Sequence, residues 1–123
     1  MPNTDEPTVQ DLLPLAPVTF HMLLLLGEGE RHGYALKREM AKRTQGKLNP
    51  GPGVLYGAIN KMLEQGLIVE SEERPVSHLD DERRRYYRIT PFGRRVAQAE
   101  AARMRELVEM AEVNLGLPEP AKG

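Results

Sequence analysis

The stretch NPGPGVLYGAINKMLEQG, residues 49–66, has the pattern of an amphipathic helix with signals at both ends. Gly51 suits the N-cap and Pro52 the first helical position, and Gly66 suits a left-handed cap at the C-terminus. The apolar residues that share one helix face are Leu55, Ala58, Ile59, Met62 and Leu63. This segment therefore predicts a helix that packs one side against a core.

The opposite face of this helix is small where it starts and polar where it ends. Its residues are Gly53, Gly57, Asn60, Lys61 and Glu64, with Val54 and Tyr56 on its borders. A glycine inside a helix costs roughly 0.5–1 kcal/mol relative to alanine. A helix that enters a groove would benefit, because its backbone could approach closely and its N-terminus would attract phosphate. A surface helix with two inconsequential glycines is the alternative, and this segment alone leaves both open.

The composition is that of one globular domain. The chain has 123 residues, 40% of them hydrophobic and 28% charged, which allows one core but not two. It has no Cys, which excludes disulfides and thiolate metal sites and favours a cytosolic setting. The longest apolar run, residues 22–26, is too short to span a bilayer, and no secretion signal is recognisable. We therefore expect a cytoplasmic protein with no membrane partner.

The formal net charge of −1 conceals a strong separation of charge along the chain. Residues 1–30 contain five acidic residues and no Lys or Arg, whereas residues 31–66 contain seven basic residues and two acidic ones. Residues 67–82 are acidic again, and residues 83–88 contain four arginines. If the fold brings the two basic blocks onto one face, that face attracts nucleic acid despite the nearly neutral total.

The first 26 residues predict an arm followed by a helix with two apolar sides. Residues 1–13 are acidic and lack periodicity, so we expect a flexible arm that ends in an apolar anchor. Residues 15–26 predict the first helix, with Phe20 and Leu24 on one face and further apolar residues around it. We expect the second apolar side to contact a partner subunit. His21 is interpreted as a histidine at the core edge, since no second metal ligand stands three or four residues away.

Residues 32–46, HGYALKREMAKRTQG, predict a basic second helix. Leu36 and Met40 lie four residues apart on its buried side, and basic residues occupy much of the remainder. Gly46 ends this helix, and a short turn leads into the helix of residues 49–66. Two helices joined by a short turn form a helix-turn-helix, in which the second helix enters the major groove.

Residues 67–73 and 84–90 predict two strands, the second of them rich in Tyr. The segment between them contains Pro75, Ser77 and His78 followed by three acidic residues, and it predicts a loop longer than a tight turn. Three helices followed by a hairpin form a winged helix, with the hairpin as its wing. The expected fold class is thus mainly α with a small β-hairpin (α+β): a winged helix-turn-helix with a helix after it.

The last long segment predicts a helix for self-association. Thr90 and Pro91 supply an N-cap and a first-turn proline, and a helical pattern runs from Phe92 to Leu115. Its apolar seam consists of Ala97, Ala101, Met104, Val108, Ala111 and Leu115, widened by Leu107 and Met110. We interpret it as a dimerisation helix, and packing against its own winged helix is the alternative. The chain thus divides into an arm (1–13), a winged helix (14–90), a dimerisation helix (91–116) and a disordered tail (117–123).

Three motifs in order carry a resemblance to a known family: ERHGYAL (30–36), PGVLYGAINKMLEQGLI (52–68) and DDERRRYYRITPFGRR (80–95). With their spacing, they make the chain resemble the PadR family of transcriptional regulators, specifically its short members with one C-terminal helix. The resemblance covers roughly residues 15–115. It implies a dimeric winged-helix protein that binds operator DNA, usually a repressor, and often one that a small molecule releases from its operator.

The resemblance also implies roles for individual residues. Tyr34 and Tyr56 stand at the family's tyrosine positions, near phosphates and the recognition surface, and Lys61 stands where the family is usually basic. The three arginines of residues 83–85 match those on the returning strand of the wing. The family often has Ser-Pro-Gly-Thr where this chain has Gly-Pro-Gly-Val at residues 51–54, so the Ser cap and the Thr hydroxyl are both absent. The valine there can still contact a thymine methyl group.

The expected functional residues form two groups, one for DNA binding and one for dimerisation. The expected DNA-binding residues are Tyr34, Lys37, Gly51, Gly53, Val54, Tyr56, Gly57, Asn60, Lys61, Arg83, Arg84 and Arg85. The expected dimer interface comprises Phe20, Leu24, Ala101, Met104, Leu107, Val108, Ala111 and Leu115. The expected partners are double-stranded operator DNA, a second copy of the chain and a small apolar or aromatic effector. The effector would occupy a cavity between the first and last helices, lined by residues such as Phe20, Leu24, Leu107 and Met110.

Two other classes of function fit the sequence less well. Catalysis is disfavoured because the histidines at 21, 32 and 78 lie in no recognisable signature, and GPGVLYG lacks the Lys-Ser/Thr ending of a P-loop. No catalytic residue, metal or cofactor is therefore expected. A winged helix that binds proteins is the stronger alternative, since the fold does not fix the function. The basic second helix, the glycine-faced helix and the arginine-rich wing favour DNA.

Overall fold

The computed structural model of the protein describes residues 7–76 and 79–118, and of residues 72–76 and 79–84 it describes the backbone alone. A short 3-10 helix comes first, followed by four α-helices and three β-strands. Their bounds are Gln10–Leu12 for the 3-10 helix, then α1 (Pro17–Leu26), β1 (Arg31–His32), α2 (Gly33–Arg43), α3 (Pro52–Glu64), β2 (Ile68–Val76), β3 (Leu79–Ile89) and α4 (Pro91–Leu115). The α+β winged-helix architecture expected from the sequence is confirmed.

Helix α3 begins and ends where its local sequence requires. Gly51 is its N-cap in an extended conformation, and Pro52 occupies the first position. At the other end Gly66 has φ +74°, a conformation that only glycine adopts at little cost. The Leu67 N–H donates to the Met62 carbonyl at 2.9 Å and the Gly66 N–H to that of Leu63 at 3.2 Å. This double closure is a Schellman motif, and it turns the chain directly into β2.

The core lies where the four helices and the sheet meet. Helix α1 contributes the largest share, because residues on more than one of its sides are buried. The buried apolar residues are Met22, Leu23, Leu25, Leu26, Leu36, Met40, Leu55, Ile59, Met62, Leu67, Ile68, Tyr87, Val96 and Ala97. Each large apolar side chain removed from water contributes about 1.5–3 kcal/mol before entropy is counted. The three buried residues of α3 belong to the face that the periodicity assigned to the core.

The sheet has three strands in the order β1-β3-β2, all antiparallel. Strand β1 was not expected, because the sequence predicted helices over residues 15–26 and 32–46 and no strand between them. It pairs with β3 through two residue pairs, Arg31 with Tyr87 and His32 with Tyr86. Two residues carry no periodicity, so β1 forms only because β3 lies alongside it. This pairing ties the start of α2 to the wing.

The wing is longer than the sequence predicted. Strands β2 and β3 extend until Val76 pairs with Leu79, so the expectation of a long loop between residues 73 and 84 is wrong. The acidic residues Asp80, Asp81 and Glu82 belong to β3. Register shifts interrupt the ladder at two places in β2, which lets the strand accommodate a proline. Residues 77 and 78 lie outside the described residues.

Over residues 9–13 the N-terminal segment packs against the core, so the apolar anchor expected at the end of the arm is present and begins earlier than expected. Val9, Leu12 and Leu13 are half-buried and pack against the core. The Leu15 N–H donates to Glu100 Oε2 at 2.7 Å, which fastens the segment to α4. Periodicity was a poor guide here because apolar contacts with α4 hold this segment, which has one turn of 3-10 helix. Residues 1–6 of the expected arm lie outside the described residues.

Helix α4 has two unlike halves. Thr90 Oγ1 accepts from the Gly93 N–H at 2.9 Å, and Pro91 opens the helix as the sequence predicted. The buried residues all lie in its first ten positions, ending with Glu100, whereas the residues after it are almost all exposed. The described part of the expected tail, residues 117–118, has no regular structure, and residues 119–123 lie outside the described residues. Within the described ranges no helix is long and apolar enough to cross a membrane.

Candidate nucleic-acid interface

The side of α3 opposite the core is open to solvent. Gly51, Gly53 and Gly57 are exposed, and a Cβ added to any of them would meet no heavy atom of the described structure within 4 Å. The side chain of Val54 is 61% exposed and that of Tyr56 is 46% exposed. Asn60, Lys61 and Glu64 are also exposed. All seven residues that the sequence assigned to this face therefore lie on one solvent-facing side of α3, which no described element covers.

The start of α2 adjoins this face and carries Tyr34. The Tyr34 side chain is 54% exposed, and the Arg38 guanidinium lies over its ring, 5.6 Å from the centroid. A cation over an aromatic ring is attracted by the ring's negative face, so this pair holds both side chains at the surface. Sequence reasoning missed Arg38, although its distance of four residues from Tyr34 in a helix is a signal for such a pair.

His32 has a structural role at the start of α2. Its Nδ1 accepts a hydrogen bond from the Ala35 N–H at 3.1 Å, which makes His32 the N-cap of the helix. Its ring meets the Tyr86 ring edge to face, with the centroids 5.3 Å apart. The cap satisfies one free N–H of the first turn, and the ring contact fixes that turn against β3.

Gly33 brings α2 and α3 together. A Cβ built on Gly33 would lie 3.0 Å from the Tyr56 hydroxyl oxygen and 3.1–3.2 Å from two carbons of its ring. Tyr56 thus lies directly against the backbone of α2, so Tyr34 and Tyr56 border one surface. Burial raises the pKa of the Tyr87 phenol, and the neighbouring Glu70 and Tyr56 add to the rise.

Lys37 lies at the edge of this surface and is half-buried. Its Nζ donates to Asn49 Oδ1 at 2.8 Å, which links α2 to the turn before α3. Sequence reasoning named Lys37 for its charge and did not foresee this hydrogen bond. The bond positions the lysine beside the N-terminus of α3, where its charge adds to the positive end of the helix dipole.

Ion pairs reduce the positive charge that the sequence counted for α2. Arg43 Nη1 lies 2.5 Å from Glu28 Oε2, Arg31 Nη2 lies 2.8 Å from Glu28 Oε1, and Arg43 Nε lies 3.3 Å from Glu39 Oε1. The hydrogen bond from Arg43 is the main reason that the pKa of Glu28 falls to about 2. Counting charges in sequence blocks overlooked this cluster, because Glu28 belongs to the acidic block and its partners to the basic one.

The wing arginines are described only in part. Arg85 has an exposed side chain, and its Nε lies 3.6 Å from Glu70 Oε1 across the hairpin. The expectation for Arg83 and Arg84 concerns side chains that lie outside the described part of the structure. In the sheet nearby, Arg88 Nη1 lies 3.9 Å from Glu30 Oε1. Exposed pairs of this length are weak, so a phosphate group could compete for either arginine.

The second half of α4 exposes an apolar stripe, which we call the α4 stripe. It comprises Ala101, Met104, Leu107, Val108, Met110, Ala111 and Leu115. Most of it is exposed, up to 85% for Leu115, and Ala111 is half-buried. On α1, Leu24 is exposed and Phe20 is half-buried. Within residues 7–76 and 79–118 the α4 stripe is largely uncovered by the winged helix.

A cleft of about 350 Å³ lies between the end of α1 and the first half of α4. Its apolar lining consists of Leu23, Leu24, Ile89, Ala97 and Ala101, and its polar rim includes Glu28, Arg94 and Gln98. Of the residues expected to line an effector cavity, Leu24 does so. Phe20, Leu107 and Met110 do not line this cleft, because it lies nearer the N-terminus of α4 than the periodicity suggested.

Comparisons with known proteins agree with this architecture. The model of the Transcriptional regulator PadR-like family matches residues 22–99. Over 92 residues the chain is 34% identical to the transcriptional regulator Rv3488 of Mycobacterium tuberculosis, which covers 75% of this chain and 79% of that protein.

Solved structures show the same fold. A transcriptional regulator from Clostridium thermocellum superposes with a TM-score of 0.67 at 23% identity, over 80% of this chain and 89% of its own. A PadR family transcription regulator from Clostridium difficile superposes with a TM-score of 0.68 at 19% identity, over 82% of this chain and all of its own. At these identities the two structures bear on the fold alone.

A helix-turn-helix followed by a two-stranded wing and a long C-terminal helix places the chain in the class of winged-helix proteins. The family model that matches residues 22–99 identifies the family within this class. The chain belongs to the PadR-like family of transcriptional regulators, and the resemblance found in the sequence is confirmed. Because the members of this family are transcriptional regulators, the chain is a regulator and not an enzyme.

Proposed function

We propose that the protein binds double-stranded operator DNA sequence-specifically, with α3 in the major groove. The observation that carries this proposal is the exposed glycine side of α3, since packing among the described residues gives those glycines no role. Glycines there let the helix backbone approach base edges closely. Asn60 supplies an amide that can bond to adenine, Lys61 a positive charge and Val54 an apolar contact for a thymine methyl group.

Contacts to the DNA backbone would position α3 in the groove. Tyr34 and Tyr56 present phenol groups beside the helix, and Lys37 supplies a charge near its N-terminus. Such contacts fix the register of a protein on the duplex without reading its sequence. We further propose that the arginines of residues 83–85 bind flanking phosphates from the wing, with Arg85 exchanging Glu70 for phosphate.

We propose that two copies of the chain act together. The α4 stripe and Leu24 are apolar and exposed, and a seam with these spacings suits helix pairing between subunits. A twofold dimer would present two α3 helices to successive major grooves, and the two half-sites would raise the overall affinity. The expected interface residues Phe20, Ala101, Met104, Leu107, Val108, Ala111 and Leu115 belong to this proposal.

A titration against duplex DNA at several salt concentrations tests the DNA proposal. The probe is a fluorescent duplex selected from a randomised pool by the wild-type protein, and anisotropy reports binding. We expect the affinity to fall steeply with salt, because each phosphate contact releases counterions. Tyr56→Ala and Lys61→Ala should each weaken binding about tenfold, the loss expected for a hydrogen bond to a charged group.

Arg105→Ala is the matched control, because it removes a positive charge from an exposed position of α4 outside the proposed DNA surface. It should bind like the wild type. If no duplex is enriched from the pool, or if binding is independent of salt, the proposal that this winged helix binds operator DNA through phosphate contacts is wrong. If Tyr56→Ala and Lys61→Ala bind like the wild type, α3 is not the helix that contacts the duplex.

A charge in the α4 stripe tests the dimer. Val108→Glu should yield monomers in analytical ultracentrifugation, because a carboxylate buried against a partner helix is strongly unfavourable. The monomer should bind the same duplex much more weakly, since it contacts one half-site. A variant that stays dimeric would show that the subunits meet at another surface.

We propose that the regulator is a repressor that acts in the cytoplasm, where its operator would lie, and that a small apolar or aromatic molecule can release it. The cleft between α1 and α4 is large enough for such a molecule, and its lining is mainly apolar.

A reporter gene behind the selected operator tests the repression. The fluorescent dye 8-anilinonaphthalene-1-sulfonate tests whether the cleft binds an aromatic molecule. Gln98→Trp, at an exposed position of the cleft lining, should obstruct the cleft and reduce dye fluorescence, whereas unchanged fluorescence would place dye binding elsewhere.

A further inference from the structure

Gly33, the first residue of α2, is buried although its backbone does not require glycine. Among the described glycines, those with positive φ are Gly29, Gly46, Gly66 and Gly116, and Gly33 does not belong to this group. A residue with a side chain could therefore adopt its backbone conformation, and alanine would favour the helix. Something other than the backbone must explain why this position lacks a side chain.

The ring of Tyr56 supplies that explanation. The three heavy atoms nearest to an added Cβ at Gly33 all belong to Tyr56, at 3.0, 3.1 and 3.2 Å. Contacts this short require one of the groups to move, and the flexible end of the tyrosine is the group that can. The absent side chain of Gly33 thus leaves the space in which the phenol of Tyr56 lies.

Other contacts hold the Gly33 backbone in place. His32, the residue before it, caps α2 through the Ala35 N–H and packs its ring against Tyr86. His32 also pairs with Tyr86 in the β1–β3 ladder. The surface on which Tyr56 rests is therefore fixed by both the helix cap and the sheet, whereas Tyr56 itself is 46% exposed on its other side.

We propose that Gly33 is a positioning residue for DNA binding, which fixes the phenol of Tyr56 between α2 and α3 at the surface that faces the duplex. This inference rests on the proposed function of α3. A side chain held in its bound position before association loses less rotational freedom when DNA binds. A Cβ at Gly33 displaces the hydroxyl by a few tenths of an ångström, and a branched side chain excludes the ring from its place.

A double-mutant cycle tests this role. Gly33→Ala and Gly33→Val are each made in the wild type and in Tyr56→Ala, and all are titrated against the selected duplex. In the wild-type background we expect Gly33→Ala to weaken binding about threefold. We expect Gly33→Val to weaken it about tenfold or more, which corresponds to the loss of one hydrogen bond to a charged group. In the Tyr56→Ala background neither substitution should weaken binding further, because the ring it displaces is absent.

Thermal unfolding separates positioning from general damage. Gly33→Ala should melt at or above the wild-type temperature, since the atoms that yield belong to an exposed side chain and alanine favours the helix. A merely structural role would lower the melting temperature and weaken binding equally in both backgrounds. If Gly33→Val does not fold, the two Gly33→Ala measurements decide the question.

The outcomes distinguish this inference from the function on which it rests. If the wild type enriches no duplex, the proposed function fails. If Tyr56→Ala weakens binding but Gly33→Ala and Gly33→Val bind like the wild type, the function stands and the positioning role is wrong. Equal losses from the Gly33 substitutions in both backgrounds also overturn it.

Discussion

The glycines of α3 and α4 differ in what surrounds them. At Gly93 in α4, an added Cβ would overlap the carbonyl oxygen of Leu67 and lie 2.9 Å from its carbonyl carbon. At Gly53 and Gly57 in α3, an added Cβ would meet nothing within 4 Å. The first position needs glycine because two backbones touch there. The other two weaken their helix, and packing among the residues that the structure describes gives them no role.

This difference shows how a glycine can indicate function. A glycine at a close backbone contact is explained by the fold, since any side chain there would force the elements apart. A glycine on an open helix face is a local cost without a structural return, so its explanation lies in what approaches that face. We expect substitutions on the buried side of the molecule to change stability and those on the α3 face to change binding.

Gly93→Ala should have the largest effect on stability. The new methyl group meets backbone atoms of Leu67, which cannot move without shifting the junction of α3 and β2. We expect a loss of about 3 kcal/mol or more in the free energy of unfolding, as for severe overpacking. Urea unfolding followed by circular dichroism measures it. A loss below 1 kcal/mol would mean that α4 shifts freely, and the contrast between the glycines would lose its basis.

Glu100 is a charged residue on the buried side of the molecule, and its substitution should also change stability. Its side chain is 0% exposed, accepts from the Leu15 N–H and pairs with Arg103 Nε at 2.5 Å. Glu100→Ala leaves the Leu15 N–H without this acceptor, at a cost of about 1–3 kcal/mol. Glu100→Gln keeps an acceptor oxygen and should cost less in the same urea titration. Equal losses for the two variants would show that the hydrogen bond to Leu15 does not matter.

Glu28 is an exposed glutamate with arginine partners, in contrast to the buried Glu100. Its substitution should have the smallest effect on stability. Its pKa is about 2 in the folded protein against an ordinary value of 4.5, chiefly because of the hydrogen bond from Arg43. A lowered pKa means that the pair stabilises the fold above about pH 4.5 and that this contribution is lost as the pH falls towards about 2.

Melting curves of the wild type and Glu28→Gln measure this contribution. The melting temperature of Glu28→Gln should lie slightly below that of the wild type from pH 7 down to about pH 5. The two should converge as the pH approaches 2, where the carboxylate becomes protonated. Curves that run parallel over the whole range would show that the Arg43–Glu28 pair contributes nothing to stability.

The sequence predicted those features whose cause is local. Gly51, Pro52 and Gly66 stand beside the ends that they determine, so both ends of α3 were predictable. The apolar spacing of α4 likewise predicted a helix of the correct length, and Thr90 its N-cap. The glycine side of α3 was assigned to solvent from periodicity alone, and the structure agrees.

Features that depend on distant residues were not predictable. Strand β1 has two residues and exists only through its pairing with β3. The Arg43–Glu28 ion pair and the contact of Tyr56 with Gly33 each join residues far apart in the sequence. The position of Glu100 could have been predicted from spacing. It lies three residues after Ala97 and four before Met104, so it shares a helix face with the apolar seam.

The stability and DNA affinity of Gly57→Ala together test the central claim most directly. Alanine should raise the free energy of unfolding by roughly 0.5–1 kcal/mol, because the added Cβ meets open space and favours the helix. It should nevertheless weaken binding to the selected duplex about tenfold, or 1.4 kcal/mol, because we propose that DNA occupies that space in the complex. Ala102→Gly, on an exposed position of α4, is the control and should lower stability without changing affinity. A Gly57→Ala protein that is more stable and binds the duplex as tightly as the wild type would contradict the claim that this face of α3 enters the groove.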